Sequence, residues 1–139
     1  MIKYAKCSII KNVNAPFVKL LVWVGSSLKD LREFPEAVKD EMGFALYEAQ
    51  CGLKHLDAKP LKGFGGANVL EIVSNYQTDT YRAVYTVRFD ERVYVLHAFQ
   101  KKSRKGIATS QSDIELIKRR LKQAEELHKA WQREEADSE

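Results

Sequence analysis

Apolar residues recur with a helical period in two parts of the chain. In both parts the spacing is three or four residues, which places the apolar side chains on one face of an amphipathic helix. Pro35 suits the first turn of the earlier helix, and Thr109 or Ser110 can cap the later one. The earlier face is formed by Val38, Met42, Ala45, Leu46 and Ala49, and the later face by Ile114, Ile117, Leu121, Ala124, His128 and Trp131.

Runs rich in β-branched and aromatic residues predict strands over 20–24, 69–73, 80–89 and 92–100. Turn residues separate the last three runs, so these strands are predicted to form an antiparallel meander. A short helix is predicted after Ser27, and residues 53–68 read as a loop. The predicted order is β-α-α-β-β-β-α, which indicates a small α+β domain.

The first 18 residues differ from the rest of the chain. Asn12, Asn14 and Pro16 interrupt any periodicity there, so we interpret residues 1–18 as an N-terminal extension, either an arm or an extra strand. Residues 19–139 are then a single domain, which agrees with the ordinary size of one domain.

Composition excludes several classes of protein. Apolar residues make up 45% of the chain, which is enough for one core, and no run approaches the roughly 20 apolar residues that span a bilayer. No signal-peptide pattern is present, so a cytoplasmic protein is expected. Cys7 and Cys51 form no zinc or disulfide pattern. The net charge of +4 is concentrated in residues 54–106, which hold 10 basic and 5 acidic residues and indicate an anionic partner.

Strand alternation predicts how these charges are arranged. If residues 90–91 form a two-residue hairpin loop, Arg82 faces Phe99, and Val84 faces His97. The same register pairs Thr86 with Val95. An exposed cationic and aromatic sheet face would then hold Arg82, His97, Phe99 and Lys101. The opposite, apolar face would pack against helices and hold Tyr81, Ala83, Tyr85, Val87, Tyr94, Leu96 and Ala98.

The predicted cationic face has the groups needed to cleave RNA by attack of a 2′-hydroxyl on the adjacent phosphorus. His97 is a candidate base or acid, and Arg82 suits the charge of the transition state. Lys101 and Lys102 add charge or transfer a proton, and Phe99 can stack on a base. This scheme requires no metal or cofactor. Each residue also has a structural interpretation, since a histidine on a strand is commonly structural and the basic run 101–105 is commonly a solvated loop.

Three segments resemble a known protein family in their order along the chain. These segments are Lys59–Gly66, Tyr81–Tyr85 and Val95–Ser103, and they resemble the phage-derived, HigB-like branch of the RelE/ParE toxin superfamily. Residues 21–27 and the last helix fit the same branch. The resemblance implies a compact α+β domain in which a curved antiparallel sheet is packed with N-terminal helices and a long C-terminal helix.

The resemblance also implies an activity. Members of this branch are toxins of type II toxin–antitoxin pairs, which cleave mRNA, commonly on the ribosome, and are restrained by a small helix-turn-helix antitoxin. Arg82 matches the strand arginine of the family. The motif of the last strand is matched by His97, Phe99, Lys101 and Lys102. The expected RNA-contacting residues are Lys59, Lys62, Phe99, Arg104 and Lys105.

Two other functions fit the same resemblance. The superfamily includes gyrase poisons, which act by binding a protein and need no proton-transfer group. A phage-derived remnant that only binds its antitoxin is the third interpretation. His97 and the pair of lysines at 101 and 102 favour the nuclease over the gyrase poison. The remnant remains open and predicts that induction harms neither growth nor transcripts.

Overall fold

Residues 18–66, 68–101 and 109–138 are described by the computed structural model of the protein. The predicted N-terminal extension, apart from Val18, and the candidate residues Lys102, Arg104 and Lys105 lie outside these ranges. The elements are β1 (Leu20–Trp23), α1 (Ser27–Arg32), α2 (Glu36–Gln50), β2 (Ala58–Pro60), β3 (Val69–Tyr76), β4 (Asp79–Thr86), β5 (Arg92–Lys101) and α3 (Gln111–Asp137).

The five strands form one sheet in the order β1-β5-β4-β3-β2. The predicted antiparallel meander of β3, β4 and β5 is confirmed, and β2 is a short strand inside the segment predicted as a loop. Strand β1 pairs with β5 in parallel. The connection between these two strands is long, since it contains α1, α2 and the other three strands. The α+β architecture is confirmed, with a sheet that is mostly antiparallel.

The register between β4 and β5 departs from a simple hairpin at one residue. Arg82 pairs with Phe99 and Val84 with His97, as predicted, but Tyr85 pairs with Val95 and Leu96 has no partner. The predicted pairing of Thr86 with Val95 is therefore wrong. The strands are joined by residues 87–91 rather than by a two-residue loop, and the bulge at Leu96 restores the predicted register beyond it.

One face of the sheet packs against α1 and α2. Its core is apolar and joins the predicted face of α2 to side chains of β3, β4 and β5. Ile72, Tyr81, Ala83, Tyr85 and Ala98 belong to this core. We call this surface of the sheet the α2 face.

The other face packs against α3 and is called the α3 face. Ser110 caps this helix by accepting a hydrogen bond from the Asp113 backbone N–H, and it is one of the two caps that the sequence predicts. Tyr94 and Leu96 lie on this face beside Val84 and pack against Ile117 of α3, so their predicted place on the opposite face is wrong. The bulge explains the error, because one extra residue moves the preceding part of β5 to the other side. No helix in the described ranges is long and apolar enough to cross a membrane.

Candidate functional site

The α3 face carries the predicted polar residues in two neighbouring rows across the sheet. One row runs through Lys59, Glu71, Val84 and His97, and the next row contains Arg82 opposite Phe99. Cross-strand partners share a face, so the register brings these side chains to one side of the sheet. Lys101 lies on the same face, opposite Thr80. The structure therefore brings together Arg82, His97, Phe99 and Lys101, as predicted.

A buried ion pair occupies the centre of the site. Arg82 Nη1 lies 2.9 Å from Glu71 Oε2, and the side chains of both residues are about nine-tenths buried. The Thr109 hydroxyl, which precedes α3, donates to the same carboxylate oxygen at 2.8 Å. A buried charge is tolerated when it is paired and hydrogen-bonded, so Glu71 fixes the guanidinium of Arg82 in place.

His97 is buried between Phe99 and the first turn of α3. Its ring stacks on Phe99 with centroids 4.4 Å apart, and Nε2 lies 2.9 Å from Asp113 Oδ1. Burial lowers the pKa of His97, although the hydrogen bond and the charge of Asp113 act in the opposite direction. The buried Nδ1 has no hydrogen-bond partner among the described residues. The ring is therefore neutral near pH 7, with its proton on Nε2 and a lone pair on Nδ1.

Asp113 connects the helix start to two candidate residues of β5. Besides the contact with His97, its Oδ2 lies 3.8 Å from Lys101 Nζ and accepts a hydrogen bond from the Ser110 hydroxyl at 2.7 Å. Burial acts to raise the pKa of Asp113, but the bonds from His97 and Ser110 and the charge of Lys101 together hold that pKa below its ordinary value. The Asp113 carboxylate thus lies where an anionic ligand of Lys101 would bind.

The α3 face is not the open cationic surface that alternation predicted. Arg82 is 8% exposed and His97 is 7% exposed, because α3 covers the middle of the face. Phe99 and Lys101 are half-buried, while Lys59 and Lys62 are exposed in β2 and the loop after it. The prediction of an exposed face was wrong because the sequence predicted the apolar face of α3 but not the sheet face against which it packs. Open cationic groups therefore lie at the edge of the site rather than at its centre.

Comparison with known families identifies the chain. The model of the family described as "Phage derived protein Gp49-like (DUF891)" matches residues 29–122, which is more than half of the sequence. The chain belongs to this family. The family is part of the RelE/HigB-like toxin superfamily, so the superfamily suggested by the sequence motifs is confirmed. No curated protein matches the chain, and no solved structure matches it.

The sequence did not predict two residues of this site. Glu71 and Asp113 supply the carboxylates that pair with Arg82 and His97. Glu71 carried a signal, since it is the one charged residue in the strand predicted over 69–73. Asp113 also carried one, since it stands three residues after Ser110 in the pattern of a capping box. Local sequence patterns mark both residues, but they do not show which side chains these residues contact in the folded protein.

One group among the described residues has the composition of a metal site. Ligand atoms of Glu41, His55 and Asp57 lie within 4.8 Å of one another. Glu41 accepts a hydrogen bond from the Ser74 hydroxyl, and His55 Nδ1 accepts one from the Asp57 backbone N–H. The Nδ1 lone pair of His55 and the Glu41 carboxylate are therefore already engaged in hydrogen bonds within the protein. We interpret this group as a hydrogen-bonded cluster of the α2 side of the sheet.

Proposed function

We propose that the chain is the toxin of a type II toxin–antitoxin pair and an endoribonuclease of the HigB-like branch that cleaves mRNA. Membership of the Gp49-like family within a toxin superfamily supports this proposal. The observation that carries it is the placement of Arg82, His97, Phe99 and Lys101 side by side on one sheet face. An arginine, an imidazole, a lysine and an aromatic ring together suit cleavage of an RNA phosphodiester.

Each side chain has a role in this proposal. Arg82 stabilises the negative charge that develops on the phosphate, and Phe99 stacks on an unpaired base. His97 accepts the 2′-hydroxyl proton at Nδ1, since Nε2 is already bonded to Asp113 and the ring is neutral near pH 7. Lys101 or Lys102 returns a proton to the leaving 5′-oxygen. No step in this scheme needs a metal or a cofactor.

The buried position of the central pair sets a condition on the reaction. Arg82 is held by Glu71, and Asp113 contacts both His97 and Lys101. A phosphate group must therefore replace at least one carboxylate, and the first turn of α3 must shift for RNA to reach His97 Nδ1. Phosphate and carboxylate bind arginine and lysine in the same way, so such an exchange is chemically simple.

RNA contacts are proposed around the open edge of the face. Lys59 and Lys62 are exposed there, and Lys102, Arg104 and Lys105 follow Lys101 in the sequence. The proposed partners are mRNA, the ribosome and a helix-turn-helix antitoxin. These partners follow from the resemblance stated for the motifs, and the cytoplasm is the proposed location.

The decisive experiment compares two Arg→Lys substitutions. Arg82→Lys keeps a cation beside Glu71 but loses the fork that binds a phosphate through two donors. The matched control is Arg88→Lys, because Arg88 also pairs with a carboxylate, that of Glu125 in the middle of α3, away from the site. Wild-type protein and the Arg88 variant are expected to arrest growth and produce new mRNA 5′ ends in primer extension. The Arg82 variant is expected to do neither.

Further readouts distinguish the rival functions. Purified protein should cleave mRNA in the presence of a chelator and leave 2′,3′-cyclic or 3′-phosphate ends. A change in DNA supercoiling with intact transcripts would instead identify a gyrase poison. Induction that harms neither growth nor transcripts would identify a remnant that only binds its antitoxin. Full cleavage by the Arg82→Lys variant would refute the role given to this residue.

A further inference from the structure

The placement of His97 depends on the single extra residue in β5. Between the pairs Val84–His97 and Tyr85–Val95, Leu96 has no partner on β4. Without this bulge the pairing of Tyr85 with Val95 would continue as Val84 with Leu96 and Ala83 with His97. His97, Phe99 and Lys101 would then lie on the α2 face, away from Arg82, because a one-residue slip reverses every side chain. The bulge is therefore what assembles the site.

Arg120 of α3 binds the bulged residue directly. Its Nη1 donates a hydrogen bond to the Leu96 carbonyl oxygen at 3.0 Å, and its Nη2 donates to the Ser26 hydroxyl at 3.1 Å. A bulged residue lacks its ladder partner, so a donor from outside the sheet satisfies its backbone. The rigid guanidinium fork spans both acceptors at once, which an ammonium group does not.

The turn between β1 and α1 supports the same segment. The Val24 backbone N–H and the Ser27 hydroxyl both donate to the Val95 carbonyl oxygen, at 3.0 and 3.1 Å. Gly25 in this turn has a φ of +59°, and a Cβ built on it would lie 2.7 Å from Arg120 Nε. Glycine therefore serves two purposes here, since it permits the left-handed backbone and leaves room for the guanidinium.

We infer that Arg120 is a positioning residue, which holds the Leu96 bulge and so keeps His97, Phe99 and Lys101 on the face of Arg82. The inference deepens the proposed ribonuclease function and rests on it only for the activity measurement. Arg120 donates its two side-chain hydrogen bonds to Leu96 and Ser26 rather than to a group given a chemical role, although its charge also helps to lower the pKa of His97. Arg120→Lys keeps that charge and so separates it from the hydrogen bonds. Arg120 acts through the backbone of β5, and its loss is expected to misplace the reacting groups rather than remove one of them.

The test compares Arg120→Ala with Arg119→Ala. Arg119 is the neighbouring exposed arginine, so the control removes the same side chain and charge from the same helix. Hydrogen exchange of the amides of residues 95–98 and the cross-strand NOE between Val84 and His97 report the bulge without any RNA. The Arg120 variant is expected to exchange faster at these amides and to lose the NOE, while the Arg119 variant retains both.

Cleavage kinetics give the second readout on the same variants. Arg120→Ala is expected to lower kcat roughly tenfold to hundredfold with KM little changed, as a misplacement of about 1 Å does. Millimolar guanidinium chloride, far below unfolding concentrations, is expected to restore part of kcat and of the amide protection. Arg120→Lys is expected to restore little of either, because one ammonium group cannot bridge Leu96 and Ser26.

Gly25→Ala tests the contact from the other side. Its new methyl group would displace the guanidinium, so this variant is expected to resemble Arg120→Ala in exchange and in kcat. The double variant removes the clash and keeps only the strain of alanine at a φ of +59°, so its loss is expected to be well below the sum of the two single losses.

The outcomes separate the inference from the function on which it builds. Unchanged amide protection and an intact NOE in Arg120→Ala would overturn the inference whatever the wild-type protein does to RNA. A loosened bulge with unchanged kcat would overturn the positioning role and leave the ribonuclease proposal standing. If the wild-type protein cleaves no RNA, the proposed function fails, and the exchange and NOE data still decide whether Arg120 holds these side chains on the Arg82 face.

Discussion

The two faces of the sheet use opposite means to bind their helices. The α2 face meets α1 and α2 through a core of apolar side chains, with Met42 and Ile72 fully buried. The α3 face combines a smaller apolar core with buried polar pairs. Arg82 pairs with Glu71, and His97 pairs with Asp113. One sheet therefore carries a face that stabilises the fold and a face that stores charged groups under a helix.

This difference has a physical consequence for mutations. Apolar contacts are non-directional, so the α2 face provides stability in proportion to the area it buries. Buried ion pairs add little net stability, yet removing one partner leaves the other charge unpaired at a high cost. Substitutions on the α2 face should therefore alter stability alone. Substitutions on the α3 face should alter stability and activity together, unless both partners are changed.

The largest effect is expected for Arg82→Ala. The variant leaves the Glu71 carboxylate buried without its cation, which should cost about 3–5 kcal/mol of unfolding free energy. Cleavage should also fall by about 10²-fold or more, because phosphate stabilisation is lost. Urea unfolding and primer extension measure the two effects.

The double variant Arg82→Gln with Glu71→Gln separates these two losses. It replaces the ion pair by neutral side chains that can bond each other, so most of the stability should return while cleavage stays absent. A stable double variant that still cleaves mRNA would contradict the assignment of Arg82.

In the core between helix α2 and the α2 face, Met42→Ala should be nearly as destabilising as Arg82→Ala. Met42 is fully buried, and truncation of such a side chain costs about 2–5 kcal/mol through lost burial and the cavity left behind. Cleavage per folded molecule should be unchanged, since Met42 lies on the face away from Arg82. A loss of activity at temperatures where the variant is fully folded would show that the two faces are not independent.

Two buried tyrosines provide a smaller and closely matched comparison. The Tyr94 hydroxyl lies 2.9 Å from His128 Nδ1 on the α3 face, whereas the Tyr85 hydroxyl on the α2 face has no partner among the described residues. Burial raises the pKa of Tyr85 to about 12, as expected for a phenol in an apolar core. Tyr94→Phe should cost about 1–3 kcal/mol, because it leaves a buried nitrogen unpaired.

Tyr85→Phe should cost nothing or stabilise slightly, because it removes an unsatisfied hydroxyl. Both variants keep the ring, so thermal unfolding measures the hydroxyl alone. Equal costs at the two positions would refute the proposed difference in polar character between the faces.

The smallest effect is expected from the pH dependence of His97. Burial lowers its pKa in the folded state below the ordinary value of 6.5, so the unfolded chain binds a proton more readily. The stability contributed by the neutral ring is therefore complete above about pH 6.5 and is lost as the pH falls through that value toward the folded pKa. The lowered pKa of Asp113 acts in a separate window, below its ordinary value of 3.8.

Urea unfolding of wild-type protein and the His97→Gln variant across pH 5–8 measures this contribution. As the pH falls, the wild-type protein should lose unfolding free energy relative to the His97→Gln variant, which has no imidazole to protonate. A difference that does not depend on pH would show that His97 does not titrate as its burial requires.

The local elements were readable from the sequence because their causes are local. The apolar period from Val38 to Ala49 and from Ile114 to Trp131 defined α2 and α3, and Ser110 marked the start of α3. The turn after β3 and the meander also followed from neighbouring residues. The short strand β2 and the parallel pairing of β1 were not predicted, since both depend on partners distant in the chain.

The candidate site was predicted in part, and partly through an incorrect step. The assumed two-residue loop gave the pairing of Arg82 with Phe99, whereas the protein reaches that pairing through a longer connection and a bulge at Leu96. The identity of Tyr94 and Leu96 as buried residues was correct, but their face was wrong. Glu71, Asp113 and Arg120 were missed because their partners lie on other elements.

The sequence by itself determined most of the helices and strands and supplied the residues proposed for RNA chemistry, because periodicity and residue type act over short distances. The tertiary structure decided the rest. The contacts of Arg120 with Leu96 and of Asp113 with His97 join residues separated by 24 and 16 positions. Such contacts set the register, cover the site and neutralise its charge, and they form only when α3 packs against the sheet.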